Sequence, residues 1–340
     1  MTAEKNDKIP ESPKYSPLLR NPVTRFLREN LGILIGLLIL CLILTIYDIH
    51  RGRTVFLSTN NIMNVLRQVS TNLYIACGMT MIIILGGIDL SVGSIMSLSG
   101  CVTAMLLMYN NFSLFMAVVM GLLVGIVFGA FNGLVVSKTT IPPFIVTLAT
   151  MNIARGASYV YTGGQPIRVM SDSFNFIGSG YILENIPVPV IYLIVIVALS
   201  AFIMNRTRLG RHIYAVGGNS TAARFSGIKN ARVLFFAFLF SGLMSAISGI
   251  VLASRMFSGQ PTAGQGAEMD AIAAVVLGGT SMSGGVGKIG GTAIGALIIG
   301  VLNNGLNLLN INSFWQYIVK GVVILIAVYV DFLKKTRKQA

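Results

Sequence analysis

The sequence feature that most limits the possible folds is a series of long apolar segments that recurs through most of the chain. Hydrophobic residues make up 54% of the sequence and charged residues only 11%, whereas roughly a quarter of the residues in a soluble domain are charged. Because about 20 predominantly apolar residues can cross a bilayer as a helix, we predict an all-α integral membrane protein. About ten transmembrane helices are predicted, at residues 31–47, 62–85, 91–108, 114–136, 143–161, 188–204, 233–253, 269–282, 289–308 and 314–331.

The eighth predicted segment, 269–282, differs from the others because it is short and rich in glycine. Backbone that leaves the helical conformation inside a bilayer must be covered by protein or line a water-filled cavity, since lipid offers no hydrogen-bond partners. We therefore expect at least one broken or re-entrant span here.

The basic residues indicate how the predicted helices are oriented. With both termini in the cytoplasm, nearly all Lys and Arg residues of the loops and tails fall on the cytoplasmic side, which is the usual bias of membrane proteins. The net charge of +14 is then explained by topology and by contact with anionic lipid, and we expect no nucleic-acid binding. The basic residues that fall outside the cell are Arg51, Arg53, Arg168 and Arg255.

The same pattern divides the chain into three parts. Residues 1–30 are polar and basic and are predicted to form a cytoplasmic tail. The polytopic membrane domain is expected to cover 31–332, and residues 333–340 to form a basic cytoplasmic tail. The apolar run that begins at Leu31 lacks a small-residue cleavage pattern, so we interpret it as a retained first span rather than a cleaved signal peptide.

The predicted cytoplasmic loop 205–232 is unusually basic. Small residues, among them Gly210, Ala222, Ala223 and Gly227, lie between its charges and permit another protein to approach closely. We expect this loop to present a short docking element to a cytoplasmic partner, since a loop that serves only topology needs charge and no such pattern. Its Lys and Arg residues are Arg206, Arg208, Arg211, Arg224, Lys229 and Arg232.

Three basic residues, Arg67, Arg155 and Lys320, fall inside predicted spans. Each lies five or six residues from the predicted external end, roughly 8–9 Å deep, so its side chain can reach the membrane surface. Snorkelling or pairing between helices is the favoured interpretation. The alternative is that they rim an outward-opening polar cavity.

Asp89, in the segment GGIDLSVGS, is the acidic residue placed furthest from either membrane surface. It follows a Gly-Gly pair just before the third predicted span, where it can cap the next helix with support from Ser91 and Ser94. It can also belong to a gate. We favour the capping role.

Amide side chains inside apolar helices suggest a route for a polar solute. Asn303, Asn304 and Asn307 have helical spacing, which places Asn303 and Asn307 on one face with Asn304 beside it. Such amides either join neighbouring helices or line a path for a hydroxyl-rich solute, and helix joining is favoured for any single one. Without carboxylate pairs, the path suits a neutral substrate; its candidate residues are Gln68, Asn72, Asp89, Asn152, Arg155, Asn303, Asn304, Asn307 and Trp315.

The sequence gives no sign of a cofactor, a metal site or catalysis. The segment from Gly285 to Gly290 fits G-x-G-x-x-G, but it lies between membrane spans without the soluble strand and acidic residue of a nucleotide site. Cys41, Cys77 and Cys101 lie inside apolar spans and are interpreted as small core residues.

Four motifs resemble those of one known family. GGIDLSVGS (86–94), TRLGRHIYAVGGNSTAARFSGI (207–228), QPTAGQGAEMDAIAAVVLGGTSMSGGVGKIGGT (260–292) and LNNGLNLL (302–309) are similar to segments of the permease subunits of bacterial sugar ABC importers. The resemblance extends from about residue 31 to about residue 332 and is greatest for the ribose-type permeases.

The resemblance implies a non-catalytic membrane subunit that dimerises, with itself or with a sister permease. It also implies a cytoplasmic ABC ATPase as partner and an extracytoplasmic sugar-binding protein that delivers a monosaccharide, with ribose favoured. By the family pattern the ATPase docks on the 205–232 loop, where the coupling motif is carried by Gly210, Arg211, Ala222, Ala223, Arg224 and Gly227. The expected location is the bacterial inner membrane.

Three alternatives remain open at this point. The C-terminal segment from Asn312 to Lys335 is more similar to the galactose-type permeases, so galactose, methylgalactoside or a pentose other than ribose is an alternative substrate. An ion-coupled secondary transporter is the alternative of a different class, although it would need more carboxylates within the spans. A branched-chain amino-acid permease is a relative within the same broad group.

Overall fold

A computed structural model describes residues 26–28, 30–182 and 186–339. Most of these residues are helical, and the longer helices follow the apolar segments of the sequence. The helices are α1 (Leu31–His50), α2 (Thr59–Ile84), α3 (Val92–Met108), α4 (Leu114–Lys138), α5 (Pro143–Thr162), α6 (Asp172–Ser179), α7 (Val188–Arg206), α8 (Arg208–Gly218), α9 (Ser220–Phe225), α10 (Asn230–Arg255), α11 (Ala267–Leu277), α12 (Ile289–Leu308) and α13 (Ser313–Gln339).

Two short antiparallel ladders lie in the connections between helices. Strands β1 (Ile167–Arg168), β2 (Tyr181–Ile182), β3 (Ile186–Pro187) and β4 (Ser258–Gly259) pair as β1 with β4 and β2 with β3. The first ladder joins the connection after α5 to the connection after α10. It therefore lies at the end of the bundle opposite to α8 and α9, which precede α10.

Each predicted span overlaps one helix of the structure. Within the described residues, five helices are long and apolar enough to cross a membrane: α1, α4, α7, α10 and α12. The prediction of an all-α protein with several membrane-crossing helices is therefore confirmed. The larger number of about ten spans stays a prediction.

Some residues of the two predicted tails belong to packed or helical structure. Most of the predicted N-terminal tail lies outside the described residues, but Phe26 and Asn30 pack against Gly290 and Gly291 of α12. Asn30 is buried and donates a hydrogen bond from its amide to the Phe26 carbonyl at 2.9 Å. At the other end, α13 continues through most of the predicted C-terminal tail.

The helices differ in how their apolar side chains are used. In α2 and α10 large residues such as Tyr74, Ile82 and Phe238 are fully buried, so these helices form the centre of the bundle. In α1 they point outward, as a surface facing lipid tails permits. Where α4 crosses α10, a Cβ atom at Gly125 would collide with the backbone of Gly242, so this contact depends on small residues, as is common between membrane helices.

Two of the predicted spans are interrupted inside the bundle. Helix α11 has only 11 residues and follows a stretch of turns, in agreement with the expected broken segment. The sequence did not predict a second interruption, before α3: Asp89 contacts Ser241, which lies roughly 17 Å along α10. Helices α3 and α11 begin close together, because Gly93 of α3 and Gly264 just before α11 are in backbone contact.

Candidate functional site

A cavity of about 600 Å³ lies beside the N-terminus of α11. Because α2 begins at Thr59, the cavity residue Gln68 lies roughly 14 Å along its axis, about half the thickness of a bilayer core. The cavity is lined by Gln68, Val69, Thr71, Asn72, Ile75, Met96, Leu252, Gly264, Gln265, Ala267, Asp270, Gly300 and Asn303. The structure thus brings together three of the predicted path residues, namely Gln68, Asn72 and Asn303.

Two amide oxygens in the cavity wall have no protein donor. The Oδ1 atoms of Asn72 and Asn303 are buried and accept no hydrogen bond from any residue that the structure describes. Asn303 is only 6% exposed. Buried polar atoms are normally hydrogen-bonded, so these oxygens are available as acceptors to a hydroxyl or amine of a bound solute.

A charged pair closes one side of the cavity. Lys320 Nζ lies 2.9 Å from Asp270 Oδ2, with side chains 21% and 16% exposed respectively. Asn303 Nδ2 donates a weak hydrogen bond to the same oxygen at 3.4 Å. Lys320 therefore pairs with a residue of another helix, which is one of the roles expected for it. The pair balances a carboxylate that would otherwise be costly within a predicted span.

Arg155 supports the non-helical backbone that leads into α11. Its guanidinium donates hydrogen bonds to the carbonyl oxygens of Pro261 and Ala263 at 2.7 and 2.9 Å. The Ser97 hydroxyl donates to the Pro261 carbonyl at 2.8 Å. These bonds replace the helical ones that the interrupted segment lacks, so Arg155 contributes to the cavity by holding its wall rather than by lining it.

Asp89 is the centre of a second polar cluster, at the start of α3. Its side chain is 1% exposed. Oδ1 accepts hydrogen bonds from the backbone N–H and hydroxyl of Ser91, at 3.0 and 2.5 Å, and Oδ2 accepts from the Ser241 hydroxyl at 3.0 Å. Asn132 of α4 donates to the Ser91 hydroxyl at 3.0 Å and accepts from Thr150 of α5 at 2.6 Å.

The cluster ties α3 to α4, α5 and α10. Asp89 caps the turn just before α3, because the N–H that it accepts belongs to Ser91, the residue preceding the first helical one. This geometry favours the capping interpretation over the gate.

The predicted docking loop folds into the two short helices α8 and α9. Thr207 accepts a hydrogen bond from the N–H of Gly210 at 3.3 Å and so caps α8. Asn219 caps α9 by accepting from the N–H of Ala222 at 2.9 Å. Helix α9 ends at Phe225, and Gly227, two residues later, has a φ of +83° that suits glycine. The loop is therefore a rigid element with a defined shape.

Helix α8 is seated firmly on the bundle. A Cβ atom at Gly217 would collide with the carbonyl oxygen of Ile84, the last residue of α2. The Tyr214 hydroxyl donates to the Gly287 carbonyl at 2.8 Å, and burial raises the pKa of Tyr214. The Gly285 N–H donates to the same Ile84 carbonyl at 2.8 Å. These contacts join α8, the end of α2 and the turn before α12.

The predicted coupling residues fall into two groups. Arg211, Ala222, Arg224 and Gly227 are exposed, whereas Gly210 and Ala223 are buried and hold the two helices in place. Phe225, which is 81% exposed beside Arg224, was not predicted as part of this surface. An adjacent groove of about 870 Å³ was not predicted either; it is lined by Leu209, His212, Gly227, Ile228, Lys229, Arg232, Val233 and Phe236.

The sequence was compared with known proteins. The family profile described as a branched-chain amino acid transport system / permease component matches residues 61–328, which is most of the chain. The chain belongs to this family of permeases. It is therefore a transport component and a multi-pass protein of the inner membrane, with several apolar helices of sufficient length.

Curated relatives of the permease include several named for sugars. The ribose import permease protein RbsC of Bacillus subtilis is 48% identical over 305 residues, which cover 89% of this chain and 92% of the relative. RbsC of Haemophilus influenzae is 47% identical over 287 residues, covering 83% and 88%. The D-allose transport system permease protein AlsC of Escherichia coli is 42% identical over 279 residues, covering 82% and 85%. The resemblance to permeases of sugar importers is thus confirmed. No solved structure matches the chain.

The remaining predicted path residues of the permease lie outside the cavity lining. Asn304 and Asn61 exchange amide hydrogen bonds at 2.8 and 3.0 Å and so join α12 to α2. Asn307 is exposed and accepts from Gln316 at 2.8 Å. Asn152 is exposed on α5 and donates to its own helix at Leu148, and Trp315 is 62% exposed.

Three polar residues of the cavity, Thr71, Gln265 and Asp270, were not predicted from the sequence. Gln265 and Asp270 lie in the motif from Gln260 to Thr292, which by sequence resembles the edge of a membrane span. A carboxylate near the start of a short, glycine-flanked segment was the available signal, since such segments place their N-terminal residues inside the membrane.

Proposed function

We propose that this permease is the translocation subunit of an ATP-driven importer of a monosaccharide, with ribose as the first candidate. The observation that carries the proposal is the mid-depth cavity, whose polar lining consists mainly of amides. An amide both donates and accepts hydrogen bonds without net charge, which suits the hydroxyls of a neutral sugar. The high identity to proteins named ribose import permease over most of both chains favours ribose.

We also infer that ten helices span the membrane, with both termini in the cytoplasm. Connections assigned to the same side are in contact, which supports this topology. The basic loop containing α8 meets the end of α2 and the turn at Gly285. The connections after α5 and α10 meet at the opposite end through β1 and β4.

The partner at the basic end is proposed to be a cytoplasmic ATPase, which hydrolyses the ATP. Helices α8 and α9 present the exposed Arg211 and Arg224, which can form charge-assisted bonds with acidic groups. Phe225 and the adjacent apolar groove add a surface that binding would cover. An extracytoplasmic sugar-binding protein is proposed to act at the opposite end, and a second permease subunit to complete the assembly.

The docking proposal can be tested by two substitutions at the basic end. We expect Arg211→Glu and Gly227→Trp to leave membrane insertion intact and to abolish co-purification of the ATPase. Arg53→Glu makes the same charge change at an exposed position of the opposite end and is the matched control. Co-purification at the level of the unchanged protein in both variants would contradict the docking role.

The transport proposal is tested by uptake of labelled ribose. Cells with or without this chain, each supplied with the cognate binding protein and ATPase, are compared in the presence of galactose, xylose, allose or leucine. We expect ATP-dependent ribose uptake that requires the chain. Preferential competition by galactose or another sugar would change the assigned substrate, and competition by leucine would move the permease to the amino-acid branch.

A single observation favours the ion-coupled alternative. Asp270 is a carboxylate inside the cavity, where secondary transporters carry such groups. Its pairing with Lys320 speaks against a free ion-binding role. Uptake in the presence of a protonophore and a sodium ionophore, with cellular ATP kept constant, distinguishes the classes, because only ion-coupled transport should stop.

A further inference from the structure

Asp270 combines two properties that a purely structural carboxylate does not need. It lines the mid-depth cavity, and only one of its oxygens is used by the protein. Oδ2 accepts from Lys320 Nζ at 2.9 Å and from Asn303 Nδ2 at 3.4 Å. Oδ1 receives no hydrogen bond from any residue that the structure describes.

The same wall carries further acceptors with no protein donor. The buried Oδ1 atoms of Asn72 and Asn303 lie in the lining beside Asp270. Asn303 connects the two kinds of group, because its amide nitrogen contacts the carboxylate while its oxygen stays unpaired. The cavity therefore concentrates hydrogen-bond acceptors, and a ligand with several hydroxyl donors is complementary to them.

We propose that Asp270 contacts the transported sugar and determines specificity, with Oδ1 accepting a hydrogen bond from one hydroxyl. Asn72 and Asn303 accept from other hydroxyls of the same sugar. Lys320 is a positioning residue, which holds the carboxylate by Oδ2 and cancels its charge. This assignment rests on the proposed function, since it requires that the cavity carries the substrate.

The ion pair explains how a carboxylate serves a neutral substrate. An unpaired carboxylate at this depth would favour protonation or binding of a cation. Paired with Lys320, it keeps the acceptor strength of a charged group, which exceeds that of a neutral amide. The competing explanation is that the pair only ties α11 to α13.

The test measures how the importer discriminates between ribose and its monodeoxy analogues. Uptake of each sugar is measured for the complete importer carrying the unchanged permease, Asp270→Asn, or the charge-neutral double variant Asp270→Asn/Lys320→Met. We expect discrimination at one hydroxyl to fall roughly ten-fold in both variants, the scale of a hydrogen bond to a charged acceptor. The ratio between variants cancels the preference of the binding protein, which is the same in all strains.

The outcomes separate the two explanations. If the ion pair only links α11 to α13, the double variant should restore uptake and the original discrimination, because it leaves no unpaired charge. This result would overturn the assignment. Asn61→Leu, which removes an amide contact outside the cavity, is the control and should leave discrimination unchanged. If the unchanged importer takes up no sugar, the proposed function fails, and the assignment fails with it.

Discussion

Two carboxylates of this permease lie beside interrupted helices, one fully buried and one partly exposed, and their hydrogen-bonding surroundings differ. Asp89, before α3, has hydrogen bonds from protein groups on both oxygens and is 1% exposed. Asp270, in the first turn of α11, has one oxygen bound to Lys320 and lines a cavity with the other unused. The cluster around Asp89 is therefore complete without a ligand, whereas the one around Asp270 is not.

This difference separates polar groups that hold the bundle together from those available to a solute. In lipid, a polar group must find a partner in the protein or in the contents of a cavity. Asp89, Asn132 and Thr150 all form hydrogen bonds with protein groups of one cluster. Asn72 and Asn303 keep an oxygen without a protein donor. Substitutions in the two groups should therefore affect stability and transport differently.

The largest effect is expected from Asp89→Ala. It removes the acceptor of three donors, two on Ser91 and one on Ser241. Leaving a buried donor unpaired costs about 1–3 kcal/mol, so the free energy of unfolding should fall by about 3 kcal/mol or more. Thermal unfolding in detergent and the amount of protein in membranes are the measurements. Asp89→Asn keeps an acceptor and should be milder, whereas a wild-type unfolding temperature for Asp89→Ala would contradict the structural role.

The second effect is expected from Asn303→Leu and should be on transport rather than on stability. Replacing a poorly satisfied buried amide by an apolar group can be nearly neutral, so the unfolding temperature should change little. Sugar uptake should fall roughly ten-fold or more, because an acceptor in the cavity is lost and part of its volume is filled. A loss of stability that matches the loss of uptake would place Asn303 with the structural group.

A smaller effect is expected from Asn304→Leu, which leaves Asn61 without its amide partner. Hydrogen bonds between membrane helices contribute about 0.6 kcal/mol on average, so a modest drop in unfolding temperature should accompany nearly normal uptake. The double variant Asn61→Leu/Asn304→Leu leaves fewer unpaired groups and should recover part of the stability. Severe loss of uptake in Asn304→Leu would return this residue to the translocation path.

The smallest effect is expected from Asn152→Leu. The Asn152 side chain is exposed on α5 and bonds only within its own helix, so stability should stay within about 0.5 kcal/mol and uptake should be unchanged. This variant tests whether Asn152 lines the translocation path, as the sequence suggested, or lies outside it, as its exposed position on α5 indicates. Uptake kinetics compared with those of Asn303→Leu provide the measurement.

The helices could be predicted from sequence because the physical requirement is simple. A bilayer demands long apolar segments, and each predicted span coincides with a helix. The break at α11 was also predictable, because glycine and a short length mark it. The break before α3 was not, since GGIDLSVGS has the same appearance whether its turn lies at the membrane surface or inside the bundle.

The candidate site was predictable in residue type but not in position. Amides within apolar helices were recognised, yet which of Asn303, Asn304 and Asn307 faces the cavity depends on helix rotation and on neighbours far along the chain. Asn304 meets Asn61, and Asp270 meets Lys320. Neither pairing follows from local periodicity, so Asp270 could not be assigned to the cavity before the helices were packed.

Helix α2 connects the contact between α8 and Ile84 mechanically to the cavity. It runs without a break from Thr59 to Ile84, and the same helix carries Gln68 and Asn72 into the cavity. The distance from Ile84 to Gln68 along the axis is roughly 24 Å. A force applied to α8 therefore reaches the cavity wall through one continuous helix. If the ATPase docks on α8 as proposed, it can control access to the cavity without any relay of rearranging side chains.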